Sequence, residues 1–287
     1  MDSPAQVPVP DAPGVQEAWR LLLAGRVSPP GTAEADDSAL MDRYGPLVAA
    51  GSPVTIAQLG QSLDGFIASR TGDAEFVTGS DDREHLHRMR ALVDAVVVGA
   101  TTVLADDCRL TVRAVPGPDP VRVVLDPRGR VSRDAHVLTD GASPTLWLRA
   151  AGSPAGDVGD VPPHVRIVRL PVAPGAGFDL VAVLEQLRRR GLGRVLVEGG
   201  GQLVSAFVAA RLVDRLYVTT APLLIGDGVP GIRFTGADAL SGALSGPSRR
   251  FILGQDVCTE LLLTSATAPH HAEQQQRAAG QHGDERQ

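Results

Sequence analysis

Short apolar segments alternate with amphipathic helical patterns along most of this chain. Residues 95–98 and 121–125 are continuous apolar runs, as expected of strands buried on both faces of a parallel sheet. Residues 180–190 repeat apolar side chains at helical spacing, and Asp179 stands where a helix N-cap would. The alternation predicts an α/β fold with three layers, α/β/α, around a mostly parallel sheet.

Other segments carry weaker signals of the same kind. Further strands are predicted at residues 54–59, 66–68, 145–148, 165–170, 194–197 and 212–220. Further helices are predicted at residues 101–105 and 202–210, and from Asp81, as the cap of a capping box with Glu84, to about Leu92. Two strands near the end, 251–257 and 258–264, predict an antiparallel pair at the sheet edge.

The two ends of the chain differ in composition from the middle. Residues 1–50 are rich in Pro, Ala and Asp, and we predict an N-terminal extension that is partly ordered, with a short amphipathic helix at 15–25. Residues 51–265 form the predicted domain. Residues 266–287 lack apolar periodicity and predict a disordered tail.

Composition excludes several classes of function. All 27 basic residues are arginine, so the chain lacks the lysine that Schiff-base enzymes, Walker-type nucleotidases and protein kinases require. The net charge of −6 disfavours a nucleic-acid surface, and no apolar run is long enough to span a membrane. The N-terminal residues do not resemble a signal peptide, and the two cysteines do not predict a disulfide framework. We therefore expect a cytoplasmic protein that acts on a small molecule.

A glycine-rich segment is the first candidate site. Glu198, Gly199, Gly200 and Gly201 directly follow a predicted strand and open a predicted helix. Ligands of parallel sheets bind beyond the carboxyl ends of the strands, and a helix N-terminus offers free N–H groups to a phosphate. Glu198 is predicted to face this crevice. A tight turn that binds no ligand is the alternative.

The segment after residues 95–98 is the second candidate site. Thr102 can donate its hydroxyl to a phosphate, and Arg113 can hold one with two hydrogen bonds. Asp106 and Asp107 end a short helix, where the helix dipole disfavours acids, so we expect them to face a ligand. The alternatives are a solvated acidic turn and a surface salt bridge.

Histidine and cysteine residues do not indicate a site. His85 and His87 are two apart on a predicted helix and point to different faces, and no cluster has the spacing of metal ligands. Cys108 follows two acids, which disfavour its thiolate, so we predict neither a nucleophile nor a metal site.

Several short motifs follow one another in a fixed order: 62–65 (SLDG), Gly72-Asp73, Thr78, Arg90, 97–99, 102–113, 122–126, 197–201 and 212–216. In this order, over about residues 53–264, they resemble the pyrimidine reductase domain of riboflavin biosynthesis. The resemblance implies a dihydrofolate-reductase-like fold, a homodimer and NADPH as cofactor. It also implies reduction of the ribosyl side chain of an aminopyrimidine ribosyl phosphate to a ribityl chain, with hydride delivered to C1′, an activity of the 5-amino-6-(5-phosphoribosylamino)uracil reductase type.

The resemblance also assigns roles to residues at matching positions. It implies cofactor contacts for Thr102, Asp106, Gly199, Gly200, Gly201, Gln202, Leu203 and Phe76. It implies substrate contacts for Arg90, Leu110, Arg113 and Glu198, and catalytic roles for Glu198 and Asp106. Whether Glu198 holds the ribose hydroxyls or relays a proton stays open at this point.

The chain departs from the family pattern at a few positions. Cys108 stands where the family has proline, Phe76 where it commonly has tryptophan, and Gln202 where it often has threonine. Ala74 replaces a small polar residue, and Gln58 stands where some members have lysine. The exact substrate therefore stays open, with a related pterin, folate or natural-product reductase, or a nucleotide-binding protein without turnover, as alternatives. The zinc deaminase signature often fused to this domain is absent, so we expect a stand-alone reductase.

Overall fold

Nine strands form one central sheet in the computed structural model, which describes residues 13–27, 35–75, 77–152, 160–172 and 177–263. In spatial order the strands are β10, β11, β8, β1, β7, β3, β4, β5 and β6, and a separate antiparallel pair joins β2 to β9. Their bounds are Val54–Ser62 (β1), Phe66–Ser69 (β2), Ala95–Gly99 (β3), Val121–Asp126 (β4), Thr145–Ala150 (β5), Val165–Leu170 (β6), Arg194–Val197 (β7), Arg215–Ala221 (β8), Gly228–Pro230 (β9), Ser248–Leu253 (β10) and Asp256–Leu262 (β11). Neighbours from β8 to β6 pair in parallel, whereas β11 pairs antiparallel with both β8 and β10. The predicted sheet, with its antiparallel C-terminal pair, is confirmed.

Helices cover both faces of this sheet. They are α1 (Pro13–Leu23), α2 (Ala35–Ala49), α3 (Ser80–Ala91), α4 (Ala100–Asp106), α5 (His136–Thr139), α6 (Leu180–Arg188) and α7 (Gly201–Ala209). Strand β3 shows why both faces need a covering layer. Successive side chains of a strand point to opposite faces, and those of β3 are apolar on each. Val96 and Val98 pack in the cluster that contains α1, α2 and α3, whereas Ala95 and Val97 pack in the cluster that contains α6 and α7. Within the described residues, no helix has the length and apolarity needed to cross a membrane.

The two N-terminal helices pack against the domain. Trp19 of α1 and Tyr44 of α2 are each 2% exposed, and their rings meet edge to face with centroids 6.0 Å apart. The Trp19 indole N–H donates to the carbonyl of Pro116 at 2.7 Å. The helix predicted at 15–25 is thus present as α1, and the described part of residues 1–50 contributes to the apolar core. Residues 1–12 and the predicted tail lie outside the described residues.

The predicted break between the last two strands was wrong. The sequence predicted strands at 251–257 and 258–264, whereas the chain reverses after Leu253 and β11 begins at Asp256. Gly254 has a φ of +63°, a left-handed conformation that glycine adopts without strain. The glycine therefore sets the turn.

Two predicted helix caps had different outcomes. Asp179 caps α6 as predicted, because its carboxylate accepts the N–H of Val181 at 2.9 Å. Asp81 does not cap α3, whose N-cap is Gly79. The N–H of Gly79 donates instead to the carboxylate of Asp256 at 2.7 Å, which ties the start of α3 to β11.

Candidate active site

Two adjoining cavities lie where the central strands end. The first, about 450 Å³, is lined by several ionisable or amide side chains, and we call it the carboxylate cleft: Gln58, Asp82, Arg90, Asp106, Cys108 and Glu198. The second, about 560 Å³, we call the arginine groove: Arg128, Arg130, Arg233, Gly201, Gln202 and Leu203. Thr101, Thr102, Gly200 and Val229 line both. A ligand in the groove can therefore reach a ligand in the cleft.

The glycine-rich segment separates the two cavities. Gly199 has a φ of +95°, and a Cβ there would lie 2.6 Å from Thr102 Oγ1. The N–H of Gly200 donates to that same hydroxyl at 3.0 Å. A Cβ on Gly201 would lie 2.2 Å from the carbonyl oxygen of Gly231. Gly199 and Gly201 are thus required by close packing, and the segment brings the first turn of α7, with Gln202 and Leu203, to the wall of the arginine groove.

Three exposed arginines give the arginine groove its charge. Arg128 lies in the turn that follows β4, Arg130 lies just after that turn, and Arg233 follows β9. Arg130 Nη2 donates to Thr101 Oγ1 at 3.0 Å. Their side chains can pair with anionic groups of a ligand. Sequence reasoning missed them, although an Arg-Gly-Arg segment just beyond a predicted strand end was an available signal.

Arg90 and Glu198 form a buried ion pair in the carboxylate cleft. The Arg90 and Glu198 side chains are 9% and 3% exposed, and Arg90 Nη2 lies 2.8 Å from Glu198 Oε1. Arg90 Nε lies 3.2 Å from each oxygen of that carboxylate, and Nη1 donates to the carbonyl of Thr111 at 3.1 Å. The strand-end carboxylate predicted from the sequence does face the cleft, and its charge is matched by arginine.

The two acids that end α4 have different positions. Asp106 lines the cleft, and its partial burial raises the pKa of its carboxyl. Asp107 points away, because its carboxylate accepts the N–H of His136 at 2.8 Å. The expectation of a ligand-facing acid was therefore wrong for Asp107. Burial, together with the charges of Glu198 and Asp106, raises the pKa of the Cys108 thiol to about 12, which agrees with its exclusion as a nucleophile.

Other predicted residues lie in and around the cleft. Leu110 lines it, 2% exposed, with a left-handed φ of +59°. Arg113 is not among the lining residues, since Nη1 donates to Thr111 Oγ1 at 2.6 Å, and its N–H donates to His87 Nδ1. Phe76 lies outside the described residues.

The described residues contain no group of three or more His, Cys, Asp or Glu that could hold a metal ion. His85 Nδ1 lies 2.8 Å from the hydroxyl of Tyr44, whereas His87 Nδ1 accepts the N–H of Arg113. The two rings therefore point to different sides of α3, as predicted. Burial lowers the pKa of His87 to about 3, helped by the charges of Arg90 and Arg113, so its ring is neutral.

One buried acid of the cleft was missed altogether. Asp82 is 3% exposed, and its Oδ1 accepts the hydroxyl of Thr219 at 2.6 Å and the amide of Gln58 at 3.5 Å. Burial raises the pKa of this carboxyl. Its spacing from Leu86 and Met89, at i+4 and i+7, places it on the inward face of α3 and could have indicated it.

Comparison with known proteins places this chain in a family. Residues 53–244, more than half of the chain, match the family model described as the RibD C-terminal domain. A protein of Methanothermobacter thermautotrophicus, named 2,5-diamino-6-ribosylamino-4(3H)-pyrimidinone 5′-phosphate reductase, is 36% identical over 214 residues, which cover 72% of this chain and 97% of that protein. The riboflavin biosynthesis protein RibD of Aquifex aeolicus is 30% identical over 212 residues, covering 73% of this chain and 58% of that protein.

Solved structures show the same fold. A deaminase/5-amino-6-(5-phosphoribosylamino)uracil reductase of Thermotoga maritima superposes with a TM-score of 0.63 at 25% identity, covering 79% of this chain and 61% of that one. RibD of Acinetobacter baumannii gives a TM-score of 0.62 at 27% identity, over 79% of this chain and 64% of that one. The chain spans about three fifths of the length of these two proteins. By its matched residues, its sheet and its archaeal relative, the chain belongs to the RibD C-terminal domain family.

Proposed function

We propose that the protein is an NADPH-dependent reductase that converts the ribosyl side chain of an aminopyrimidine ribosyl phosphate to a ribityl chain. The observation that carries this proposal is the pair of adjoining cavities that share Thr102 and Gly200. The arginine groove offers a helix N-terminus and three cations, and the carboxylate cleft offers the Arg90–Glu198 pair and Asp106. Together they suit a redox cofactor next to a polar sugar phosphate.

The residues of the arginine groove fit NADPH. The first turn of α7, at Gly201 and Gln202, presents N–H groups that suit a pyrophosphate. Arg128 and Arg130 are exposed cations that suit a further phosphate, such as the one that distinguishes NADPH from NADH. Bound there, NADPH supplies the hydride. Thr102 accepts the N–H of Gly200, and this bond joins helix α4 to the glycine-rich segment, the two parts of the protein that would contact the cofactor.

The reaction breaks the bond between C1′ and the ring oxygen of the ribose. C1′ gains a hydride and the oxygen gains a proton, so one acid is needed near the sugar. Asp106 suits this role, because its raised pKa keeps a proton on the carboxyl at higher pH than usual. Both oxygens of Glu198 accept hydrogen bonds from Arg90, which holds the carboxylate in a fixed position. Each oxygen can accept a further bond, and ribose hydroxyls can donate it. We therefore assign proton donation to Asp106 and sugar positioning to Glu198.

Binding of the substrate phosphate is assigned to Arg113 on the family resemblance. Its guanidinium donates to Thr111 Oγ1 in this structure, so the side chain must turn toward the cleft when the phosphate binds. The homodimer and the cytoplasmic location belong to this proposal as well. They are supported by the family resemblance.

Two aminopyrimidine substrates fit the proposal. They are the compounds reduced by the relatives, a 2,5-diaminopyrimidinone and a 5-aminouracil, which differ at C2 of the ring. The test is NADPH oxidation, followed at its absorbance maximum, with each compound and with dihydrofolate as the control. Oxidation with either aminopyrimidine is expected. NADPH oxidation with dihydrofolate but with neither aminopyrimidine would contradict the proposal and indicate a folate reductase.

A further inference from the structure

The floor of the carboxylate cleft contains an acid that the proposed reaction does not use. Asp82, in the first turn of α3, lines the cleft and is 3% exposed. Thr219 donates to its Oδ1 at 2.6 Å, the Gln58 amide lies 3.5 Å from the same oxygen, and Thr78 also donates to the carboxyl. A buried carboxyl is costly to ionise. The three partners of this carboxyl are neutral. We therefore expect a ligand whose N–H or O–H groups donate to Asp82 and offset the cost of its ionisation.

The position of Asp82 places it beyond the sugar-binding pair. Its partner Thr219 lies on β8, and β1 separates β8 from β7, after which Glu198 follows. Adjacent strands are about 4.8 Å apart, so the two carboxylates are anchored at strands about 10 Å apart. The arginine groove lies on the other side, over β3 and β4. Glu198 thus lies between the arginine groove and Asp82. If the ribose of the substrate contacts Glu198 next to the groove, its pyrimidine ring lies on the side of Asp82.

Gly60 lets Thr78 and Asp82 pack directly against strand β1 at the floor of the cleft. A Cβ at Gly60 would lie 2.8 Å from Thr78 Cγ2 and 3.3 Å from Asp82 Oδ2. With no side chain there, Thr78 and Asp82 close the floor of the cleft and a flat ring can approach it. An incoming ring edge at this end of the cleft thus meets the Asp82 carboxyl, which is its acidic group, next to the neutral side chains of Gln58 and Thr78.

The two possible substrates present opposite chemistry to such a carboxylate. An ionised Asp82 only accepts hydrogen bonds, and N–H donors of a bound ring stabilise that ionised form. The 2-amino group of the diaminopyrimidinone has N–H donors, whereas the uracil has a carbonyl oxygen at C2, itself only an acceptor. Placing that oxygen against Asp82 leaves two acceptors facing each other without a proton between them. Buried mismatches of this type discriminate between substrates far more strongly than differences in size.

We propose that Asp82 recognises the C2 substituent of the pyrimidine and makes the 2,5-diaminopyrimidinone ribosyl phosphate the preferred substrate. This inference rests on the proposed reductase function. Thr219 and Gln58 are positioning residues, because they bond to Asp82 and hold its carboxyl at the floor of the cleft.

The test compares kcat/KM for the diaminopyrimidinone and the uracil ribosyl phosphates in the wild-type protein, Asp82→Asn and Asp81→Asn. We expect the wild type to prefer the diamino compound by about 100-fold or more. Asp82→Asn should reduce that preference at least about tenfold, mainly through KM, because an asparagine amide can donate to the uracil oxygen. Asp81 lies in the same helical turn but is exposed, so Asp81→Asn should keep the wild-type preference.

The outcomes separate this inference from the function on which it rests. If neither compound supports NADPH oxidation, the reductase function itself fails. If both are reduced equally well by the wild type, or the uracil is preferred, the function holds and the role of Asp82 is contradicted. This comparison needs no variant, so it decides the matter even if Asp82→Asn does not fold. An unchanged preference in a folded Asp82→Asn would also overturn the inference.

Discussion

Arg90 and Glu198 stand 108 residues apart in the chain, yet their side chains form a pair with an Nη2–Oε1 distance of 2.8 Å. Helix α3 supplies the arginine, and the end of β7 supplies the carboxylate. The pair fixes the position of α3 over the sheet and leaves one charged group of each sign beside the cleft. Because the pair is buried, we expect it to contribute to the free energy of unfolding as well as to the site.

Arg90→Ala should destabilise the protein strongly. Removing one partner of a buried ion pair leaves the other charge unmatched, which costs about 3–5 kcal/mol. Urea unfolding of the two proteins measures this difference. Arg189→Ala is the control, because Arg189 and Glu185 form an exposed pair on α6, and such pairs contribute little. Equal, small effects of the two substitutions would contradict the assigned role of the pair.

Gly201→Ala should lower the melting temperature even without ligand. An added Cβ would lie 2.2 Å from the Gly231 carbonyl oxygen, and backbone on both sides must move to relieve the clash. Gly200→Ala is the matched control, since a Cβ there meets Thr102 Oγ1 at 3.6 Å, an ordinary contact. Thermal unfolding followed by circular dichroism should show a loss of several degrees for Gly201→Ala, a cost of more than about 1 kcal/mol, and little change for Gly200→Ala. A melting temperature of Gly201→Ala equal to that of the wild type would contradict the close packing at this turn.

Replacing Arg128 and Arg130 together by alanine should weaken NADPH selectively. Each lost charge-assisted bond to a phosphate is worth about 1.5–3 kcal/mol, so KM for NADPH should rise at least about tenfold. KM for NADH, which lacks the additional phosphate, should change little. Arg133→Ala is the control, because Arg133 donates to the carbonyl of Asp160 and does not line the groove. A parallel rise for both cofactors would place the phosphate elsewhere.

The pH profile should identify Asp106 as the proton donor. Only the neutral carboxyl donates, and the neutral fraction falls as the pH rises through its pKa. Burial raises that pKa, so kcat should decrease on the alkaline side of a range higher than that of ordinary carboxyls. Asp106→Asn should be slower and should lose this limb, whereas Asp107→Asn, on the residue that bonds to His136, should keep it. If the limb persists in Asp106→Asn, another group supplies the proton.

The parts of the structure that were predictable are those set by local pattern. The apolar run of β3 and the helical repeat of α6 each indicate their own element, and three glycines after β7 mark a close backbone approach. The boundary between β10 and β11 was misplaced because Gly254, rather than the apolar pattern, sets the turn.

The rest of the site depends on tertiary contacts. The spacing of Asp82 from Leu86 and Met89 indicates only that it faces inward, whereas its contact with Thr219 on β8 depends on the tertiary structure. Arg113 has the right type for a phosphate contact, but its hydrogen bond to Thr111 turns the side chain aside, which no local pattern reveals.

Deuterium labelling of the cofactor measures hydride transfer to C1′. The protein is incubated with NADPH deuterated at the transferable position of C4 and with the aminopyrimidine ribosyl phosphate, and the product is analysed by mass spectrometry and NMR. Direct hydride transfer gives a ribityl product one mass unit heavier, with the deuterium on C1′. A product without deuterium at C1′, or no ribityl product at all, would contradict it.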